Sequence, residues 1–208
     1  MDSINKKLSI NKLFSEFSKS IDYKSGNTKK LFTIRFIGLN GTGKTYIAKI
    51  LSEKLNLYIA SNDEIRRFLN KKGLRGKYPD QQVVRKMAGK LSPYLYNHRI
   101  SHIYDTDHIA FYRWARGIAT KHGSEFYLVH VVCPEKIVFK RIEERLRRVR
   151  HKPHLNLSRA DVKEYMKRKA LHEKLGLPKN FFFTIDTSKN KKTQTNQLVR
   201  KLEKEGVI

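Results

Sequence analysis

Leu31-Phe32-Thr33-Ile34-Arg35-Phe36-Ile37 runs directly into Gly38-Leu39-Asn40-Gly41-Thr42-Gly43-Lys44-Thr45, and apolar residues then recur at Ile47, Ala48, Ile50, Leu51 and Leu55. That order predicts a strand, a glycine loop and a helix. The loop has the spacing G-x-x-x-x-G-K-[ST], and each position answers a physical need. Gly38, Gly41 and Gly43 let the backbone turn its N–H groups inward, so that with the amides of Asn40 and Thr42 they form a concave nest for phosphate oxygens. A helix that starts near Lys44 brings its positive dipole end to the same place. Lys44 is then expected to reach the β- and γ-phosphates and the Thr45 hydroxyl to ligate Mg²⁺, which suits ATP or another nucleoside triphosphate. A mere connecting turn would need neither the Lys-Thr pair nor both correct flanks.

The composition narrows what surrounds this loop. At 208 residues and 39% hydrophobic, the chain is long enough for one sizeable core and short for two. The single cysteine, Cys133, excludes an internal disulfide and reads as a small buried residue near a strand end. Met1 to Lys7 has no apolar leader and no run reaches membrane-spanning length, so a cytoplasmic protein is expected. With 45 Lys and Arg against 19 Asp and Glu, the net charge is +26. Such a surface attracts polyanions and makes nucleic acid a possible partner, although the even spread of 29 lysines also suits a solvated surface or a biased composition.

Outward from the loop, the pattern alternates. Residues 1–30 read as an added arm, with Ile10, Leu13, Phe14, Phe17 and Ile21 at helical spacing, ahead of a single domain over 31–208. Leu57 to Ala60 predicts a short strand, and Ser61 with Glu64 has the S-x-x-E spacing that caps a following helix. Gly73 and Gly76 break that helix, and another is expected over Asp80–Tyr96. Ile100–Tyr104 reads as a strand stopping at Asp105, although His98-Arg99-Ile100-Ser101-His102-Ile103-Tyr104 is less apolar than a buried central strand should be. A helix over His108–His122, a strand over Glu125–Cys133 and a helix from Glu135 to about Arg148 come next. Ser158-Arg159-Ala160-Asp161 recaps the chain into a helix ending near Leu175, then Phe181–Ile185 is the last strand and Thr193–Lys204 the last helix. Five strands alternating with helices predict an α/β, doubly wound parallel sheet.

In such sheets ligands sit beyond the carboxyl ends of the strands, which singles out Gly38, Asp63, Asp105, Pro134 and Asp186. Asp63 stands at the first turn of a helix with Arg66 three residues on, so a carboxylate and a guanidinium can share one cleft. Beside Mg²⁺ and ATP, an Asp in that position can accept the proton of an attacking hydroxyl. A helix-start Asp paired with a surface Arg is the plainer alternative. Arg141 and Arg145, one turn apart, can clamp phosphate oxygens or belong to a solvated cationic face that continues through Arg147, Arg148, Arg150 and Lys152. His151 and His154 lack a third ligand nearby and read as no metal site. Tyr94, Tyr96, Tyr104, Tyr112 and Trp114 are able to stack bases, but their helical and strand spacings read as core.

Taken together, Gly38–Thr45, Ser61-Asn62-Asp63-Glu64-Ile65-Arg66, an Asp ending the third strand, and Pro134-Glu135 leading to Arg141 and Arg145 resemble the P-loop kinases of the polynucleotide kinase and zeta-toxin group, with their AAA-type Walker A loop. The resemblance covers about residues 31–188. It implies a P-loop fold with a helical lid, Asp63 as general base, Arg66 as acceptor-binding arginine, and Arg141 with Arg145 as lid arginines. It further implies Asp105, with Asp107 as its rival, as a partner of Mg²⁺, and Asp186-Thr187-Ser188 as a segment bordering the adenine. The expected activity is ATP- and Mg²⁺-dependent transfer of a γ-phosphoryl group to a hydroxyl, on a nucleic acid 5′ end or a nucleotide-like acceptor. A small-molecule kinase of the same fold and a non-catalytic ATP-binding regulator are the alternatives.

Overall fold

The apolar run ahead of the glycine loop forms β1 (Phe32–Ile37), every residue of which is buried in the computed structural model. It lies at the centre of a parallel sheet with β2 (Tyr58–Ala60), β3 (His102–Tyr104), β4 (Glu125–Val132) and β5 (Phe183–Asp186), in the order β2-β3-β1-β4-β5. β1 is registered against β4 from Phe32↔Glu125 to Ile37↔His130, and against β3 from Thr33↔His102 to Arg35↔Tyr104. The structure describes residues 9–21, 28–74, 81–105, 109–151 and 161–208. Gly76, the expected helix start at Asp80, Asp107, His108, His154 and the segment Ser158–Ala160 lie outside them.

The helices are α1 (Ile10–Lys19), α2 (Lys44–Leu55), α3 (Asn62–Lys71), α4 (Gln81–Asn97), α5 (Tyr112–Lys121), α6 (Glu135–His151), α7 (Val162–Leu175) and α8 (Lys191–Lys204). Alternate strand residues divide the core, because successive side chains point to opposite faces of a sheet. Phe32, Ile34, Phe36, Ile103, Val129 and Val131 pack with Ile47, Ala48 and Leu51 of α2 and Leu198 and Leu202 of α8. On the other face Ala60, Ile65, Leu69, Met87, Leu91 and Leu95 gather with Tyr104, and α1 adds Leu13 and Phe17. The expected amphipathic helix of the N-terminal arm is therefore docked, with Phe14 edge-on to Tyr94 and Phe17 edge-on to Phe68, at centroid distances of 5.8 Å and 5.4 Å.

Three details depart from the sequence pattern. The polar-looking β3 is fully buried between β2 and β1, because His102 and Tyr104 face a cluster of hydroxyls and rings rather than an apolar layer. The helix after it opens with a 3₁₀ turn, Ile109–Phe111, before α5 begins. Asp161 itself caps α7, its carboxylate accepting from the Glu164 N–H at 2.7 Å. No described helix is long and apolar enough to cross a membrane.

Candidate active site

All five strands are parallel, so their carboxyl ends meet one edge, and the glycine loop leaves β1 at its middle. Two glycines show why the loop has this composition. A Cβ on Gly38 would lie 2.3 Å from the Val131 carbonyl oxygen, a separation no side chain permits. Gly43 caps α2 at φ 97°, a left-handed backbone that strains any residue with a Cβ. The loop is thus pressed onto β4 and turned into the helix by backbone alone.

The residues fit a phosphate ligand. Lys44 is buried, and its Nζ donates to the carbonyls of Gly38 and Leu39 at 2.8 and 2.9 Å, which holds a cation within the arc of the loop. The first turn of α2 carries no acidic side chain to compensate its dipole, so an anion is favoured there. Thr42 is fixed through its hydroxyl, which donates to the Leu39 carbonyl at 2.8 Å. Asn40 is half-buried on the crest of the loop and Thr45 is exposed in the first turn of α2.

A carboxylate cluster lies at the ends of β2 and β3. Ser61 caps α3 as its spacing predicts, accepting from the Glu64 N–H at 3.2 Å, and this places Asp63 in the first turn. Arg66 donates to Asp63 Oδ1 at 2.6 Å, with both side chains partly exposed. Arg145 reaches the same place from α6. Burial pulls its pKa below the usual arginine value while the Asp63 and Asp161 charges oppose the shift, and the guanidinium stays charged throughout the physiological range. Asp105 follows β3, its N–H donating to the Ala60 carbonyl at 3.1 Å. Glu64 was expected only to cap, yet its carboxyl bonds the Tyr58 hydroxyl; burial, with the Asp105 charge adding, raises its pKa, and the Tyr58 bond and Arg67 oppose.

Arg141 and Arg145 have different surroundings. Arg141 donates through Nη1 to the Thr187 hydroxyl and through Nη2 to the Thr187 carbonyl, both at 2.9 Å, and its Nη1 lies 3.5 Å from the Gly41 carbonyl. Thr187 in turn donates to the Thr42 carbonyl at 2.6 Å. The turn after β5 is therefore latched to the glycine loop, and the sequence signals only its position at a strand end. Between the loop and α7 opens a cavity of about 360 Å³, whose lining includes Leu39, Thr42, Cys133, Tyr165, Lys169 and His172. An ion pair of Lys169 with Glu135 at 3.1 Å joins α7 to α6 above it.

A family profile described as an AAA domain matches residues 34–170. No curated protein matches the chain. Among solved structures, the APS kinase CysC of Mycobacterium tuberculosis, in complex with AMPPNP and APS, is similar with a TM-score of 0.55 and 19% identity, covering 84% of this chain and 98% of that one. A sugar kinase from Janibacter sp. HTCC2649 gives a TM-score of 0.53 and 14% identity, covering 83% and 94%. A structure of the PezAT chromosomal toxin–antitoxin system of Streptococcus pneumoniae gives 0.61 and 14%, covering 87% and 77%. At these identities the likeness is one of fold.

Proposed function

The chain belongs to the AAA domain family and has the P-loop kinase fold, and from that premise we propose that it transfers the γ-phosphoryl group of ATP to an acceptor hydroxyl held beside Asp63. One observation carries this reading: Asp63, ion-paired to Arg66 at 2.6 Å and in electrostatic contact with Arg145, stands on the same sheet edge as the Lys44 loop.

In the proposed reaction the acceptor oxygen bonds to the γ-phosphorus and its proton passes to Asp63. The bond from that phosphorus to the β–γ bridging oxygen breaks, and ADP leaves. Lys44 and the loop amides of Gly38, Asn40, Gly41, Thr42 and Gly43 hold the phosphates. Arg145 stabilises the charge that moves, Arg141 secures the loop through Thr187, and Arg66 binds the acceptor while keeping Asp63 oriented. The Thr45 hydroxyl in the first turn of α2 and the Asp105 carboxylate just after β3 are hard oxygen donors of the kind that would hold a Mg²⁺ ion. When bound, that ion neutralises charge on the β- and γ-oxygens. The net charge of +26 supports a polyanionic acceptor, the 5′-hydroxyl of a nucleic acid or a nucleotide-like molecule.

The test is transfer from labelled ATP to a panel of 5′-hydroxyl oligonucleotides and small alcohols. Asp63→Asn is expected to lower transfer by roughly 10²–10⁴-fold while ATP binding is kept, because only the proton acceptor is lost. RNA binding with a steep salt dependence, and no transfer by either form, would instead make the protein an ATP-binding regulator.

A further inference from the structure

Three consecutive residues of the glycine loop are held by side chains from outside it. A Cβ on Gly41 would lie 2.8 Å from a Val138 methyl carbon and 3.3 Å from Ile142, so α6 rests directly on the loop there. A Cβ on Gly43 would lie 3.2 Å from the Thr187 methyl carbon, so the turn after β5 rests on the loop where it enters α2. Between these two contacts the Thr42 carbonyl accepts from the Thr187 hydroxyl at 2.6 Å. Thr187 is 1% exposed, and every polar group it has is engaged. Its N–H donates to the Val132 carbonyl at 2.9 Å, its carbonyl accepts from Arg141 Nη2, and its hydroxyl accepts from Arg141 Nη1 while donating to Thr42.

The bond to Thr42 decides where an amide points. A peptide unit is planar and trans, so its carbonyl and its N–H are directed to opposite sides. With the Thr42 carbonyl pinned to Thr187, the Gly43 N–H is turned away from the turn after β5. The peptide on the other side of Gly43 is already fixed by the helix, because the Gly43 carbonyl accepts from the N–H groups of Tyr46 and Ile47, both at 3.1 Å. The plane before Gly43 is the one left for Thr187 to hold. A glycine at φ 97° is needed for the bend, yet a residue without a Cβ resists rotation of that plane least. The freedom that lets the loop form is therefore what Thr187 restrains.

We infer that Thr187 is a positioning residue for the nucleotide phosphates: its hydroxyl holds the Thr42–Gly43 peptide with the N–H facing the phosphate, its methyl group supports Gly43, and Arg141 acts through Thr187 rather than on the transferred phosphoryl group. Threonine supplies both parts. Serine has the hydroxyl without the methyl group, and valine has the shape without the hydroxyl. Arg141 suits its own part because one planar guanidinium reaches the hydroxyl and the carbonyl of the same residue, a fork that the single ammonium of lysine does not reproduce. The inference rests on the reading of the loop as a phosphate site, and it divides the work of the two arginines. Arg141 contributes to ADP and ATP alike, and Arg145 to the transfer.

Equilibrium binding of ADP, ATP and inorganic tripolyphosphate to the full chain tests this, with thermal melting to check that each variant is folded. Thr187→Val should weaken all three by roughly 2- to 10-fold, the range to which one lost hydrogen bond corresponds, and Thr187→Ser should keep most of the affinity. Arg141→Lys, which retains the charge and loses the fork, should weaken ADP and ATP by the same factor and add little to the loss when combined with Thr187→Val. A Thr187→Val protein that melts lower yet binds all three ligands with wild-type affinity would overturn the inference, since the residue would then serve stability alone. Losses in Arg141→Lys that are confined to ATP, or that add in full to those of Thr187→Val, would overturn it too, because Arg141 would then meet the γ-phosphate itself. If Thr187→Val fails to fold, the comparison of ADP with ATP in Arg141→Lys decides. Wild type that binds neither ADP nor tripolyphosphate would remove the phosphate reading and the positioning role together. Binding without transfer to any acceptor would defeat the kinase reading alone, and transfer with unaltered affinities in the variants would defeat the positioning role alone.

Discussion

The two faces of the sheet bury side chains to the same depth by different chemistry. Toward α2 and α8, β1 and its neighbours present Phe32, Ile34, Phe36, Ile103, Val129 and Val131, an apolar layer throughout. Toward α4 and α5, the intervening positions are Thr33, Arg35, His102 and Tyr104, all at most 6% exposed. They answer one another. The Thr33 hydroxyl is 3.0 Å from the Tyr96 hydroxyl and 3.2 Å from that of Ser124, Arg35 lies 5.6 Å over the Tyr104 ring, and His102 is edge-on to both tyrosines. The difference teaches that burial and hydropathy separate where hydroxyls pair and rings pack edge-on, even though the His102 Nε2 and the Tyr104 hydroxyl find no hydrogen-bond partner among the described residues. It also makes the first face dependent on shape and the second on protonation.

The largest expected effect belongs to the apolar face. Phe36 is fully buried and registered beside Val129, so Phe36→Ala should destabilise the fold by about 3–5 kcal/mol, through lost transfer energy and the cavity left behind. Urea unfolding checks this. A loss below about 1 kcal/mol would mean that the face collapses around the gap and is less tightly packed than its composition implies.

The polar face should respond to acid instead. Burial pulls the His102 pKa from its ordinary 6.5 down to about 4, partly opposed by its Nδ1, which donates to the Ile100 carbonyl at 2.8 Å. Nε2 finds no hydrogen-bond partner among the described residues, and the folded protein favours the neutral ring. Between those two pKa values the unfolded chain binds the extra proton, so stability is complete above about pH 6.5 and falls as the pH drops toward 4. A shift of this size corresponds to about 3 kcal/mol. His102→Gln removes the titrating group. The stability advantage of wild type over the variant should therefore shrink by about that amount between neutral pH and pH 4, with the other titrating groups cancelling in the difference. An advantage that stays constant would show that water or a partner reaches the ring.

The same contrast explains what the sequence disclosed. The glycine loop was legible because its function needs backbone conformations that few residues supply at a fixed spacing, and Asp63 because a capping serine and a strand end locate it. β3 was less legible, since a periodicity argument scores His102 and Tyr104 as outward-facing when their partners lie on β1 and α4. The Thr187 latch spans 145 positions to Thr42, and no local pattern reports such a bond. Glu64 carries the right residue for a cap, but its carboxyl turns to Tyr58, a choice made by the buried surroundings. Trp114, whose spacing reads as core, is 48% exposed and shows the reverse error. Helical spacing identifies one face of α5 but does not say which residues at its margin lie beyond the reach of the sheet.

The smallest expected effect probes how far the polar face acts as a unit. Tyr96→Phe keeps the ring stacked on His122, at 5.2 Å and 14° between planes, and keeps its edge toward His102. Only a hydroxyl is lost. The Thr33 hydroxyl retains Ser124 at 3.2 Å, so neither group is stranded, and the change should cost about 0.5–1.5 kcal/mol in urea unfolding. If the loss instead approaches that of Phe36→Ala, the hydroxyls, Arg35 and the tyrosines polarise one another strongly enough that removing one weakens all, and the polar face would then be as exacting as the apolar one. Repeating the measurement in a Thr33→Val background separates the cases: a coupling energy near zero leaves the pairwise account standing, and one above about 1 kcal/mol replaces it with the cooperative one.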